Sequence, residues 1–262
     1  MRILIVSGSS VFDTLAGSEM QMRTLGAYLL QHGHEVVYYF REWVPGKPGR
    51  EMQEGATVYR NERPHGAFLG LRRDADRLGE IVWREFPNVL YARCFRSVYV
   101  LRRASRQTGV PFVYQVPFAL DRDFFKFLSQ LKNFRKSMAL TIYGFCSRRD
   151  LRHAAQLLTI SQDDADVLAR ERGLQAKTIY NMHPVPEKPE KKAVPPLVVW
   201  INNIKSVKRP EMFVELASRC CDSGARFVMS GMMGEGRAAD ALRRRIGATP
   251  NLQYVGPTTL VE

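Results

Sequence analysis

A chain of 262 residues accommodates one large domain or two of ordinary size. With 45% hydrophobic and 25% charged residues it is set to build a packed core, which excludes global disorder. The net charge of +13 points to an anionic partner: a membrane surface, nucleic acid or anionic small molecules.

The elements alternate along the chain. Arg2-Ile-Leu-Ile-Val-Ser7 is a short apolar run ending in Gly8-Ser9-Ser10, the pattern of a buried parallel strand feeding a loop. Ser18 and Gln21 form a capping-box pair, Met22, Leu25 and Leu29 share one helical face, and Gly33 ends the helix. Glu35 to Phe40 is the next strand. Asp74 to Phe86 reads as a helix, Val89 to Ala92 as a strand, Val98 to Thr108 as a helix, and Pro111 to Gln115 as a strand. Gln156 to Ile160 is another strand. Ser161 with Asp164 caps a helix that Gly173 closes, and Lys177 to Tyr180 is a short strand. Strands alternating with helices predict a parallel α/β sheet.

Pro184 to Pro196 breaks the pattern: it holds five prolines, several Lys and Glu, and no periodicity, so it reads as a linker. The chain therefore divides into 1–183, a linker at 184–196 and 197–262. The last part starts again with a strand, Leu197 to Ile201, a polar loop and a helix opened by Pro210, whose missing N–H suits a first turn. Strands at Ala225 to Ser230 and Gln253 to Val255, with a helix at Glu235 to Ile246 between them, complete it. Three strands and two helices are thin for a Rossmann-type half, so this domain is expected to be incomplete, a small three-stranded cap being the alternative.

The charge is concentrated. Tyr91 to Gly109 carries five arginines and no acid, and Arg122 to His153 carries eight Lys or Arg against two Asp. The second stretch interleaves Phe124, Phe125, Phe127 and Leu128 with the cations. That suits a basic amphipathic helix at an anionic membrane surface, or a helix pair packing its aromatics inward. Four cysteines, Cys94, Cys146, Cys220 and Cys221, show no C-x-x-C spacing and no disulfide pattern, which fits a reducing cytoplasm. The uncharged run Ser137 to Ser147 is shorter than the roughly 20 residues of a membrane span, so no transmembrane helix is predicted.

Six segments resemble glycosyltransferase family 4 in that family's order. Leu15-Ala-Gly-Ser-Glu19 resembles its G-G-x-E turn with Ala16 for the first glycine. Leu157-Leu-Thr-Ile-Ser161 looks like its strand ending in Ser, and Lys177-Thr-Ile-Tyr-Asn181 its I-x-V-I-x-N-G strand with Met182 for the glycine. The strand, loop and helix from Leu197 to Glu211, with Lys208-Arg-Pro-Glu, match its F-V-G-R-L-x-x-x-K-R-P-E segment. Arg226 to Gly231 and Asn251 to Gly256 match the two strands that follow.

The resemblance implies a GT-B fold of two Rossmann-type parallel-sheet domains, the second incomplete. It also implies retaining transfer from a nucleoside diphosphate sugar to a glycan or lipid-linked acceptor, in surface polysaccharide or glycolipid synthesis. Gly17, Asn203, Lys208 and Gly231 are then the donor-binding residues, with Asn203 standing where the family has an arginine. Glu19, Asp121 and Asp123 are the candidates for acceptor or sugar contacts. Pro117 stands where the family has a histidine. The two glutamates that complete the family's donor site have no counterpart in this sequence, so a non-catalytic remnant or binding module for acceptor or lipid is the alternative. No catalytic residue, general base, metal or cofactor is assigned, and nucleic acid is not expected as a partner. The protein is expected in the cytoplasm, peripheral at the inner face of the membrane.

Read without the family, Lys208 is a solvated loop lysine, Gly17 eases a turn, and Asn203 bonds within its loop. Asp121 and Asp123 are then surface loop residues or a helix cap. His32 and His34 flank a helix end, where an imidazolium suits the dipole, and His183 has no partner at metal-ligand spacing.

Overall fold

The computed structural model describes residues 1–14, 17–42, 44–61, 67–93, 97–116, 149–183 and 191–257, without the side chains of 67–69. The protein is α/β, and its chain divides into two compact units, Met1–Pro184 and Val185–Glu262.

The first unit runs β1 (Arg2–Ser7), α1 (Gly17–Gln31), β2 (Glu35–Phe40), β3 (Arg50–Gln53), β4 (Ala56–Arg60), α2 (Ala67–Glu85), β5 (Val89–Ala92), α3 (Ser97–Thr108), β6 (Phe112–Gln115), β7 (Gln156–Thr159), α4 (Gln162–Arg172) and β8 (Lys177–Thr178). The eight strands form one sheet in the order β3-β4-β2-β1-β5-β6-β7-β8. All neighbours are parallel except β3 and β4.

Strand alternation sorts the core into two layers. Ile3, Ile5, Val36, Tyr38, Phe40 and Val58 face Met22 of α1. Leu4, Val6, Val37, Tyr39 and Leu90 face Leu78 and Ile81 of α2 and Val98 and Leu101 of α3. The runs at β1 and β2 are apolar throughout because both faces of these strands are covered.

The β3–β4 hairpin has no counterpart among the predicted elements. Its signal is Glu54-Gly55 between two short alternating runs; both residues have positive φ, 50° and 80°, as a two-residue primed turn requires. The helix predicted from Asp74 starts earlier, at Ala67. The expected capping box does not form. Ser18 lies inside the first turn of α1 and its hydroxyl bonds to Glu19, while Gln21 turns to another partner described below. At α4 the predicted caps are in place: Ser161 Oγ accepts from the Asp164 N–H at 3.2 Å, and Gly173 closes the helix at φ 63°.

At the end of β2 a buried network forms. Arg41 Nε donates to Asp74 Oδ2 at 2.9 Å, and Asn61 donates to Asp74 Oδ1 at 2.8 Å. Burial first, and then the Asp74 carboxylate, push the Tyr39 hydroxyl far above its ordinary pKa.

The second unit contains β9 (Leu197–Ile201), a 3-10 turn (Ser206–Lys208), α5 (Pro210–Arg219), β10 (Arg226–Ser230), α6 (Arg237–Gly247) and β11 (Leu252–Gly256). Its three strands are parallel in the order β11-β10-β9. Pro210 occupies the first turn of α5, as the sequence predicts. Phe213, Val214 and Ala217 of α5 and Ile246 of α6 pack on Phe227, Met229 and Leu252. The opposite side of the sheet presents Leu197, Val199, Ile201 and Val255 to solvent.

Candidate functional site

In the first unit the strand order reverses at β1, which lies between β2 and β5. In open parallel sheets, ligands bind outside the carboxyl ends of the strands at such a point. Ser7 ends β1 there. It is fully buried, and its Oγ has no hydrogen-bond partner among the described residues. The loop after it turns on Ser10, whose Oγ accepts from the N–H groups of Phe12 and Asp13, each at 3.3 Å. Gly17 opens α1, and a β-carbon there would meet nothing within 4 Å among the described residues.

Glu19, in the first turn of α1, is buried and accepts the Ser18 hydroxyl. Arg93 directly follows β5. Val6 and Ala92 are register partners, so Ser7 and Arg93 leave the sheet on neighbouring strands. Arg93 Nη2 donates to Asn181 Oδ1 at 2.8 Å. Partial burial holds its guanidinium below its ordinary pKa, while Tyr91 and Glu19 pull the other way. Gln21 completes the rim with two reciprocal bonds of 2.8 Å: its Nε2 donates to the Met182 carbonyl, and its Oε1 accepts the Met182 N–H. The sheet thus brings Glu19, Arg93 and Asn181 to one rim. Neither Ser7 nor Arg93 stands among the residues the sequence singles out. An arginine directly after the apolar run Val89 to Ala92 is the signal that marks the second of them.

In the second unit the three strands end side by side. Asn202 N–H donates to the Ser230 carbonyl at 3.1 Å, and Gly231 N–H to the Gly256 carbonyl at 2.9 Å. Gly231 has φ 140°, and a β-carbon on it would fall 3.4 Å from the Asn203 nitrogen, beyond a closer clash with Asn202. Only glycine fits that backbone. Asn203 and Gly231 therefore sit together at the carboxyl ends of parallel strands. Tyr254 fixes the turn by donating to the Gly231 carbonyl at 2.8 Å.

Lys208 ends the 3-10 turn and is exposed, as are Lys205 and Arg209. It lines an open groove of about 760 Å³ along α5, with Trp200, Val207, Met212 and Leu216. Asn203 and Gly231 are not in that lining. Exposed cations here present charge to an anion without the cost of burying it.

Asp121, Asp123 and Pro117 lie outside the described residues, as does most of the basic stretch from Arg122. Among the described residues no group of three or more His, Cys, Asp or Glu is arranged to hold a metal ion.

No curated protein matches the sequence. Among solved structures, sucrose-phosphate synthase from Thermosynechococcus elongatus is similar at 15% identity and TM-score 0.65, with 98% of this chain covering 70% of that one. A glycosyltransferase from Rickettsia africae is similar at 12% identity and TM-score 0.62, covering 98% of this chain and 68% of that one. Anabaena HepE in complex with UDP-glucose is similar at 14% identity and TM-score 0.63, covering 99% of this chain and 70% of its own. These likenesses establish the GT-B fold. The glycosyl transferase 4-like domain family matches residues 16–184, more than half of the sequence and nearly all of the first unit, so the chain belongs to that family.

Proposed function

We propose that the protein transfers a glycosyl group from a nucleoside diphosphate sugar to a glycan or lipid-linked acceptor. The second unit holds the diphosphate and the first holds the acceptor. The observation that carries this reading is the strand-end pair of the second unit, where a glycine-only backbone meets Asn203 at the carboxyl ends of parallel strands. Asn203 donates a neutral hydrogen bond, Gly231 allows the close backbone contact with Asn202 that fixes the loop beside Asn203, and Lys208 supplies charge from the same loop. Together they stabilise the diphosphate as it departs, which lowers the barrier to sugar transfer. Gly17 is assigned as a donor contact, and Glu19, Asp121 and Asp123 as the candidate sugar or acceptor contacts, on the family resemblance. Retention of configuration follows from the family resemblance, as does a part in surface polysaccharide or glycolipid synthesis.

The HepE structure contains UDP-glucose, which makes it the first donor to try. Titration of the full chain with UDP-glucose and GDP sugars is expected to give saturable binding that Lys208→Ala weakens about tenfold, the loss of one charge-assisted contact. Binding of a lipid-linked acceptor with no nucleotide binding at all overturns the transferase reading and leaves an acceptor-binding module.

Peripheral attachment at the inner face of an anionic membrane belongs to the same reading, supported by the net charge of +13. No helix among the described residues is long and apolar enough to cross a membrane. Flotation with anionic liposomes at low salt tests the attachment; protein that stays at the bottom of the gradient sinks it.

A further inference from the structure

We infer that Arg60 is an oxyanion-binding residue that takes a carboxylate or phosphate group carried by the acceptor. Arg60 ends β4 and is 2% exposed. Its Nη1 is held by Glu51 Oε1 at 2.5 Å and by the Pro48 carbonyl at 3.5 Å. Its Nε and Nη2 are buried, and neither has a hydrogen-bond partner among the described residues. Those two nitrogens form the side of the guanidinium whose parallel N–H groups match the two oxygens of a carboxylate or phosphate. The fork that reads oxyanions is therefore free, while the rest of the group is anchored.

Its place in the fold supports the same ligand. Ser7 pairs with Phe40 and Phe40 pairs with Arg60, so the three residues form one row at the carboxyl rim of the sheet. Residues paired in this way point to the same face, the side covered by α1. The Arg60 guanidinium lies over the Phe40 ring, 5.7 Å from its centre. Arg41, the residue that follows Phe40, is paired with Asp74. Among the described residues the carboxylate partner of Arg60 is Glu51, which is 28% exposed on the edge strand and screened by water. The exposed loop 44–49 touches the guanidinium through the Pro48 carbonyl and carries Lys47 but no acid. A hydrogen-bond donor pair enclosed in this way is costly unless something accepts from it.

The word acceptor rests on the proposed function; the oxyanion chemistry does not. The test is a nitrogen–proton NMR titration of the arginine Nε–H signals of the full chain, with the Arg60 signal identified by its loss in Arg60→Lys. The probes are glucose 6-phosphate, glucuronate, inorganic phosphate and neutral glucose. The Arg60 signal is expected to move downfield, saturably, with the phosphorylated or carboxylated sugar and to stay still with glucose. Arg60→Lys, which keeps the charge but loses the fork, is expected to bind the same sugars about tenfold more weakly. A signal unmoved by all four probes overturns the inference and leaves the two donors to an internal water. A response to inorganic phosphate with none to either charged sugar overturns the assignment to an acceptor. Should Arg60→Lys not fold, wild-type titration with assignment by specific labelling carries the test. Nucleotide-sugar binding through Lys208 is measured separately, so failure here and failure of the transferase reading are distinct results.

Discussion

The Asn202 carbonyl oxygen stands 1.7 Å from where the β-carbon of a side chain at residue 231 would be placed. The two strand ends are in backbone contact, and the carbonyl carbon, at 2.6 Å, backs up the oxygen. The Asn202 N–H donates to the Ser230 carbonyl at 3.1 Å, which ties the two strand ends together just before this contact.

Gly231→Ala therefore meets both a clash and an unfavourable φ of 140°. It is expected to destabilise the second unit by about 3 kcal/mol, the scale of backbone strain at a glycine-only position. Urea unfolding of the full chain, with hydrogen exchange to assign the loss to residues 197–257, checks this. A stability within about 0.5 kcal/mol of wild type means that the strand ends are not jammed as described.

Gly26 and Tyr38 bring α1 and β2 together in a similar way, but with a movable partner. A β-carbon at residue 26 would lie 1.8 Å from the Tyr38 hydroxyl, which donates to the Met22 carbonyl at 3.2 Å. Gly26→Ala is expected to cost about 2 kcal/mol by overpacking. Adding Tyr38→Phe removes the nearest atom and should recover part of that loss, although on its own it gives up a hydrogen bond worth about 1 kcal/mol. A double-mutant cycle by thermal unfolding reads the coupling, and strictly additive losses refute the contact.

Asp150 offers a test by pH. Burial raises its carboxyl pKa above the ordinary 3.8, and Arg149, Arg102 and His153 oppose that rise without cancelling it. A carboxyl with a raised folded pKa adds stability below its unfolded value, and that contribution is lost as pH rises through the folded value. Relative to wild type, Asp150→Asn is expected to gain stability as pH climbs from below 3.8 toward neutrality. Melting temperatures of both proteins across that window decide it. A constant difference shows that Asp150 titrates like an exposed carboxyl.

The sequence carried most of the fold because β1, β2 and β5 are buried on both faces and so read as plain apolar runs. Ser161 and Gly173 gave the ends of α4 to the residue, since capping chemistry is local. The β3–β4 hairpin was harder to see. Its outer strand, Arg50-Glu-Met-Gln53, is a polar edge with little alternation, and its turn uses Glu54 rather than Asn or Asp at positive φ. Ser18 and Gln21 had the spacing of a capping box, yet Gln21 found a stronger pair of partners 161 residues away, which no local rule anticipates. The same limit hid the site. Arg93 and Ser7 become neighbours only through the register of β1 and β5. The unmatched side of Arg60 is visible only once its other nitrogen is seen to be engaged.

The Gln21–Met182 clasp sets an order of events during synthesis. Its two bonds join the first helix to a residue 161 positions later, so the long loop must be closed before they form. On the ribosome, β1, α1 and β2 emerge early and can pair, but Asn181 and Met182 are still inside the tunnel. The Arg93 partner and the Gln21 partner therefore arrive together, as nearly the last event of the first unit. A nascent chain stalled before residue 181 lacks the partners of both Gln21 and Arg93, so the rim is completed only after β8 has been made.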